Sequence, residues 1–185
     1  RKPEAHFAML LDLHARRTEV PAALTGLCNI LAAQGVRLGS HDDNGPRTAW
    51  LQRGVSIADF PETLEAATQA GGPVILGAPN LVRGSSHKGN VSALDVVRAG
   101  ACDALASDYH YPSPRRAALK LAQMDDMNLP RAWALVSSGP ARVMGLTDRG
   151  TLAPGQRADI VALDAAGRVA MTLSAGRVSY MRGDI

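Results

Sequence analysis

Four times between residues 36 and 110, a short apolar run stops abruptly in polar residues and hands over to a helix-forming stretch. The runs are Val36–Ser40, Val55–Ala58, Val74–Leu76 and Cys102–Ala106. Three of them end at His41-Asp42-Asp43, Asp59-Phe60-Pro61 and Ser107-Asp108-Tyr109-His110, and the third in chain order opens into a loop at Gly77. Runs that are apolar on both faces suit strands covered on both sides, as in a parallel sheet. Between them, Pro46–Gln52 reads as a helix or loop, Glu62–Ala70 as a helix closed by Gly71-Gly72, and Val91–Arg98 as a helix stopped by Gly100. The repeat predicts an α/β fold with a parallel sheet, right-handed crossovers and functional loops at the carboxyl ends of the strands.

The flanks fit around this unit. His6–Ala15 has helical spacing, with Phe7, Leu10, Leu11 and His14 on one side. Pro21 starts a second helix, Ala22–Gln34, and His6 and His14 read as helix-surface residues rather than ligands. Further helices are expected over Ser113–Met124, Leu129–Ser137 and Pro140–Leu146. After Gly145 the pattern changes. Glycines at 150, 155, 167, 176 and 183 separate β-type runs at Ile160–Leu163, Arg168–Leu173 and Arg177–Met181, so a small β appendage is expected.

Composition narrows the classes of function. The hydrophobic share is 46% but aromatics are only 4%, so the core must be built from Ala, Val, Leu and Ile. The net charge of +3 is scattered, and the Arg16-Arg17 and Arg115-Arg116 pairs have no aromatic platform beside them. That disfavours nucleic acid and suits a phosphorylated small molecule. Cys28 and Cys102 lack CxxC spacing and stand in apolar contexts, as reduced thiols of a cytoplasmic protein do. No apolar run approaches the ~18 residues that a membrane span requires.

Two kinds of site stand out. Gly77–Asn90, GAPNLVRGSSHKGN, is rich in Gly and Pro and is expected to be irregular. It gathers Asn80, Arg83, Ser86, His87, Lys88 and Asn90, next to the helix expected at Val91. Such a set of donors suits an anion, most simply phosphate; its other reading is a solvated polar loop. The strand ends supply the second kind. His41, Asp59 and Asp108 offer the imidazole nitrogen and carboxylate oxygens that a divalent metal takes, and a carboxylate there can also accept a proton from water. Turn and capping roles stay open for the same residues, since HDDNGP is a good turn by itself. His110 reads as a loop residue.

Asp148-Arg149-Gly150-Thr-Leu-Ala-Pro-Gly155-Gln-Arg-Ala158-Asp159-Ile-Val161 resembles the carboxy-terminal signature of the amidohydrolase superfamily. The combination of Ser40-His41-Asp42-Asp43, GAPN-x-VRG-x-SH-x-GN and Ser107-Asp108-Tyr109 is similar to one branch of it. The resemblance runs from about residue 20 to the end. It implies strands five to eight of a TIM-type (β/α)8 barrel over residues 1–146, with a segment of a small β domain over 147–185. It implies a metal-dependent hydrolase of phosphonate catabolism that releases diphosphate from the 5-triphosphate of a ribose phosphonate. It places the fifth-strand metal ligand at His41 and the eighth-strand ligand and base at Asp108, with zinc expected and manganese an alternative. The sixth strand of the superfamily usually ends in His; here it ends in Asp59, a candidate ligand. Arg83, His87 and Lys88 would meet phosphate oxygens, and Asp159 becomes a structural turn residue.

A full barrel has eight strands and the repeat supplies four, so the chain is expected to be inactive alone and to need the amino-terminal barrel half or a second copy as partner. An amidohydrolase acting on a C–N bond, as a deaminase or cyclic amidase, and a non-enzymatic scaffold binding a phosphorylated metabolite are the competing readings.

Overall fold

A computed structural model of the chain describes residues 3–84, 89–124 and 127–183. Its centre is a four-stranded parallel sheet of β1 (Gly39–His41), β2 (Ile57–Asp59), β3 (Val74–Gly77) and β4 (Ala104–Ala106), hydrogen-bonded in chain order. His41 stands level with Asp59 across β1 and β2, Asp59 level with Ile75, and Gly77 level with Ala106. All four carboxyl ends therefore point the same way. The connections carry α3 (Thr48–Leu51), α4 (Leu64–Thr68), and α5 (Ala78–Arg83) with α6 (Ala93–Arg98).

The core is built from small side chains, as 4% aromatics demand. Ala58, Ala78, Ala117, Ala118 and Leu121 are fully buried, with Leu81, Val96 and Leu105 packed among them. Residues 117, 118 and 121 lie on one side of α7 (Ser113–Gln123), which places that helix against the core. Small residues also permit close approach. A Cβ at Gly139 would collide with the carbonyl oxygens of Asp103 and Ala134, so only glycine lets α9 (Ser138–Met144) sit this close to β4. The α8 helix (Leu129–Ala134) is capped by Asn128, whose side chain accepts from the Arg131 N–H. Burial, then the neighbouring charge of Asp103, pushes the Cys102 thiol up to about 12, so it stays protonated; Cys28 is buried in α2 (Val20–Ala33).

Three expectations are corrected. The first strand lies at Gly39–His41, later than Val36–Ser40, so His41 is itself a strand residue. The stretch after β3 is not irregular throughout: Ala78–Arg83 is helical. Its apparent breakers are helix punctuation, Pro79 in the first turn where no N–H partner is missed and Gly84 as a left-handed cap at φ +89°. Finally, the apolar side of α1 (Pro3–Ala15) is not packed: no residue of that helix is buried, and Phe7, Leu10 and Leu11 are exposed. Among the described residues no helix is long and apolar enough to cross a membrane.

The β appendage is a separate antiparallel sheet of β5 (Ile160–Leu163), β6 (Val169–Ser174) and β7 (Arg177–Met181) in that order. Asp164 ties it together. Its carboxylate accepts the backbone N–H groups of Ala166 and Arg168, Nε of Arg168 at 2.8 Å and Nη2 of Arg182 at 3.0 Å. The Arg168 N–H, and after it the Arg168 and Arg182 side chains, hold the acid down to about 2. A depressed folded value contributes stability above the ordinary value of 3.8, and that contribution fades as pH falls toward about 2. The β5–β7 sheet should therefore loosen over this interval, and Asp164→Asn should flatten the response. Amide exchange of β6 and β7 against pH measures it; identical acid profiles for wild type and variant would remove Asp164 from the account.

Candidate active site at the carboxyl ends of the strands

Three of the four strands, β1, β2 and β4, are followed by a residue that turns the chain sharply. Asp42, Phe60 and Asp108 have φ of +57°, +55° and +50°. Asp tolerates this left-handed region through its short polar side chain, but for a bulky Phe it is a strained state. Backbone strain of this kind gathers where a surrounding structure fixes it for use. The strands hold it in place: the Asp42 N–H donates to Asp59 O at 3.1 Å and the Phe60 N–H to Ile75 O at 2.9 Å.

These turns bring His41, Asp42, Asp59 and Asp108 together. His41 Nε2 lies 3.7 Å from Asp59 Oδ2, and Nδ1 lies 3.1 Å from Asp42 Oδ1. The Phe60 ring meets the imidazole edge-on, centroids 5.3 Å apart. The His41 side chain keeps 57% of its surface open, so the face not used by Phe60 is available to a ligand. Burial raises the Asp59 carboxyl above its usual range; His41 opposes this, while the negative charges of Asp42 and Asp108 add to it. Asp59 thus feels the other two acids, as neighbours in one acidic cluster do.

A cleft of about 280 Å³ opens beside this cluster. His41, Asp42, Asp108, Asn80, Arg83 and Asn90 are among its lining residues. Leu76, Pro79 and Val91 contribute apolar surface. The two asparagines are already engaged. Asn80 donates from Nδ2 to Val91 O and accepts the Ala93 N–H on Oδ1, latching α5 to the start of α6. Asn90 donates to Glu62 Oε1 at 3.2 Å. Arg83 donates from Nη1 to the Tyr109 hydroxyl at 2.6 Å. The C-terminal carbonyls of α5 receive Lys120 Nζ, 3.0 Å from both Leu81 O and Val82 O. Ser86, His87 and Lys88 lie outside the described residues.

Two groups were not foreseen from the sequence. Phe60 entered only as part of a polar strand end, yet it shapes the site around His41. Arg47 is 2% exposed and braces the strand ends from behind. It donates to Asp43 Oδ2 at 2.8 Å, Ser40 Oγ at 2.9 Å and Ile57 O at 2.8 Å. The only signal for it was the four-residue spacing from Asp43.

The strand ends offer metal donors of the right classes, imidazole nitrogen and carboxylate oxygen. Among the described residues, however, no three His, Cys, Asp or Glu side chains form a set able to hold an ion by themselves. A catalytic zinc takes three protein ligands, more than the described residues bring together here.

Residues 97–180 match the amidohydrolase family. The chain is 41% identical over 146 residues to the alpha-D-ribose 1-methylphosphonate 5-triphosphate diphosphatase of Escherichia coli strain K12, a match covering 75% of this chain and 38% of that protein. Among solved structures, an N-acetyl-D-glucosamine-6-phosphate deacetylase from Mycobacterium smegmatis superposes with a TM-score of 0.61 at 18% identity, over 88% of this chain and 52% of that one. An adenosine deaminase from Xanthomonas campestris with bound zinc gives 0.59 at 14%, over 87% and 49%. At these identities the two structures speak to fold alone. The chain spans about two fifths of the curated relative and half of each of these solved chains.

Proposed function

We propose a function for this chain as a member of the amidohydrolase family, whose pattern residues 97–180 carry. Residues 1–146 are the carboxy-terminal half of a (β/α)8 barrel, strands five to eight, and residues 147–185 a segment of the small β domain beside it. The enzyme of which they form part cuts the 5-triphosphate of α-D-ribose 1-methylphosphonate to the 5-phosphate and releases diphosphate, in phosphonate catabolism. The observation that carries this reading is the cleft itself, a space of about 280 Å³ whose lining includes His41, Asp42 and Asp108 together with Arg83. The relative's name supplies the substrate.

The roles follow from placement. Asp108 takes the proton of the attacking water, and Arg83 meets oxygens of the departing diphosphate by charge-assisted hydrogen bonds. His87, Lys88 and Ser86 bind further phosphate oxygens. Asn80 and Asn90, with their side chains bonded to neighbouring elements, hold the cleft in position more than they grip the substrate. His41, Asp108 and Asp59 give their share of donors to a divalent ion, zinc or manganese in class, whose remaining ligands come from the amino-terminal barrel half or a second copy. The protein acts in the cytoplasm, without nucleic acid or membrane.

The full-length protein supplied with zinc or manganese should convert the ribose triphosphate to 5-phosphate and diphosphate, seen by phosphorus NMR. Ammonia or carboxylate release from amide substrates, with the triphosphate untouched, would replace this reading with C–N hydrolysis. Tight binding of the triphosphate without turnover would leave a phosphometabolite-binding scaffold.

A further inference from the structure

We infer that Tyr109 is a specificity-determining residue of this cleft: its phenol and the Arg83 guanidinium form one paired donor unit for the oxygens of a polyphosphate. The inference rests on the phosphate reading of the cleft and adds a residue and a selectivity to it.

Tyr109 is held where a ligand would meet it. Asp108, in its left-handed turn, directs the chain away from the end of β4. The His110 N–H closes that turn onto Ser107 O at 3.0 Å, and Ser113 Oγ donates to His110 O at 2.6 Å. The backbone is thus pinned on the carboxyl side of Tyr109, while its side chain stays 60% exposed at the cleft. Arg83 reaches it from the last turn of α5, with Nη1 2.6 Å from the hydroxyl and the guanidinium carbon 5.9 Å from the ring centroid. The link bridges two elements, one after β3 and one after β4.

The hydrogen bond between them does little for the fold. Exposed polar contacts of this kind contribute a small net stability, because water satisfies both partners in the unfolded chain. What the pair does provide is directed chemistry. A phenol is both donor and acceptor. Here its oxygen accepts from Arg83, so its own hydrogen is left to donate to a second acceptor. Beside it stands a guanidinium with five N–H groups and a permanent charge. A neutral donor and a cation held 2.6 Å apart match two neighbouring anionic oxygens. On a polyphosphate those oxygens can also come from successive phosphoryl groups, and the longer chain brings more negative charge to the guanidinium than a monophosphate does. Tyr109 therefore favours the longer phosphate chain.

The test uses sodium tripolyphosphate and orthophosphate, titrated calorimetrically in chelator-treated buffer against purified wild type, Tyr109→Phe, Arg83→Ala and the double variant. Phe keeps the ring and removes only the donor. Tyr109→Phe should weaken tripolyphosphate about tenfold, the usual weight of one hydrogen bond to a charged group, and orthophosphate by no more than about twofold, at an unchanged melting temperature. The double variant should bind about as weakly as Arg83→Ala, because coupled partners are not additive. Tripolyphosphate binding by Tyr109→Phe within about twofold of wild type would overturn the role of Tyr109 while the phosphate reading stands. Wild type that shows no saturable binding of tripolyphosphate would overturn both.

Discussion

Asp108→Asn should cut turnover of the complete enzyme by at least ~10²-fold and leave its fold intact, since general-base catalysis contributes 10²–10⁴. The substitution separates chemistry from structure unusually well. Asp108 adopts φ +50°, a conformation that Asn accepts as readily as Asp, so the turn after β4 survives. The amide keeps the volume and loses the charge and the basic oxygen. It can neither take a proton from water nor serve as an anionic ligand. Circular dichroism and the melting temperature should match wild type while kcat falls, with a smaller effect on KM. Activity within a few-fold of wild type would remove Asp108 from the reaction, and the base would have to be sought among Asp42 and Asp59. Ala at the same position is the poorer probe, because its Cβ meets the steric cost of positive φ without a polar side chain to offset it.

The sequence showed the repeat more clearly than the site. Apolar runs ending in His41, Asp59 and Asp108 were readable because a strand buried on both faces needs continuous hydrophobic residues and its exposed end does not. The parallel direction of the strands followed from the helices between them, while their order did not. The helix at Ala78–Arg83 was not readable, because Pro79 and Gly84 look the same whether they interrupt a helix or begin and end one; only tertiary packing of Leu81 against the core decides it. The same ambiguity affected Asn80 and Asn90. Both were read as donors to substrate, yet each is bonded to a partner distant in the chain, Val91 and Ala93 for one and Glu62 for the other. Pairings of that kind leave no local trace. The exposed apolar side of α1 has a different origin: helical spacing predicts a face but not what covers it.

Arg47 illustrates the largest gap, and its removal should be the most destabilising single change in the sheet. Its guanidinium is almost wholly enclosed, with Asp43 10% exposed beside it. Six oxygens accept from it: Asp43 Oδ2, Ser40 Oγ and the carbonyls of Val55, Ser56, Ile57 and Ala70. Ser40 Oγ in turn donates to Asp43 Oδ2 at 2.5 Å. A fully bonded network of this type is close to neutral as a whole, because desolvating two charges offsets their attraction. Breaking it is not neutral. Arg47→Met fills similar volume but strips the Asp43 carboxylate of its cation, leaving only Ser40 Oγ to donate to it, and takes one donor from each of several carbonyls, which costs ~3–5 kcal/mol. That is a large part of the 5–15 kcal/mol by which a typical domain is stable. Arg47→Lys should recover little, since one ammonium cannot reach Asp43, Ser40 and Ile57 in a single fork. Arg47→Met combined with Asp43→Leu should recover more, because it removes the stranded charge along with its partner. Urea unfolding of the four proteins measures the pattern, and a single-variant loss below ~1 kcal/mol would refute it. The consequence for the site is direct. Ser40 immediately precedes His41, and Ile57 lies two residues before Asp59. Relaxing Arg47 frees β1 from β2 at the level where imidazole and carboxylate stand 3.7 Å apart. Any of the variant that remains folded should therefore lose turnover beyond its loss of folded protein, and normalising activity to the folded fraction separates the two effects.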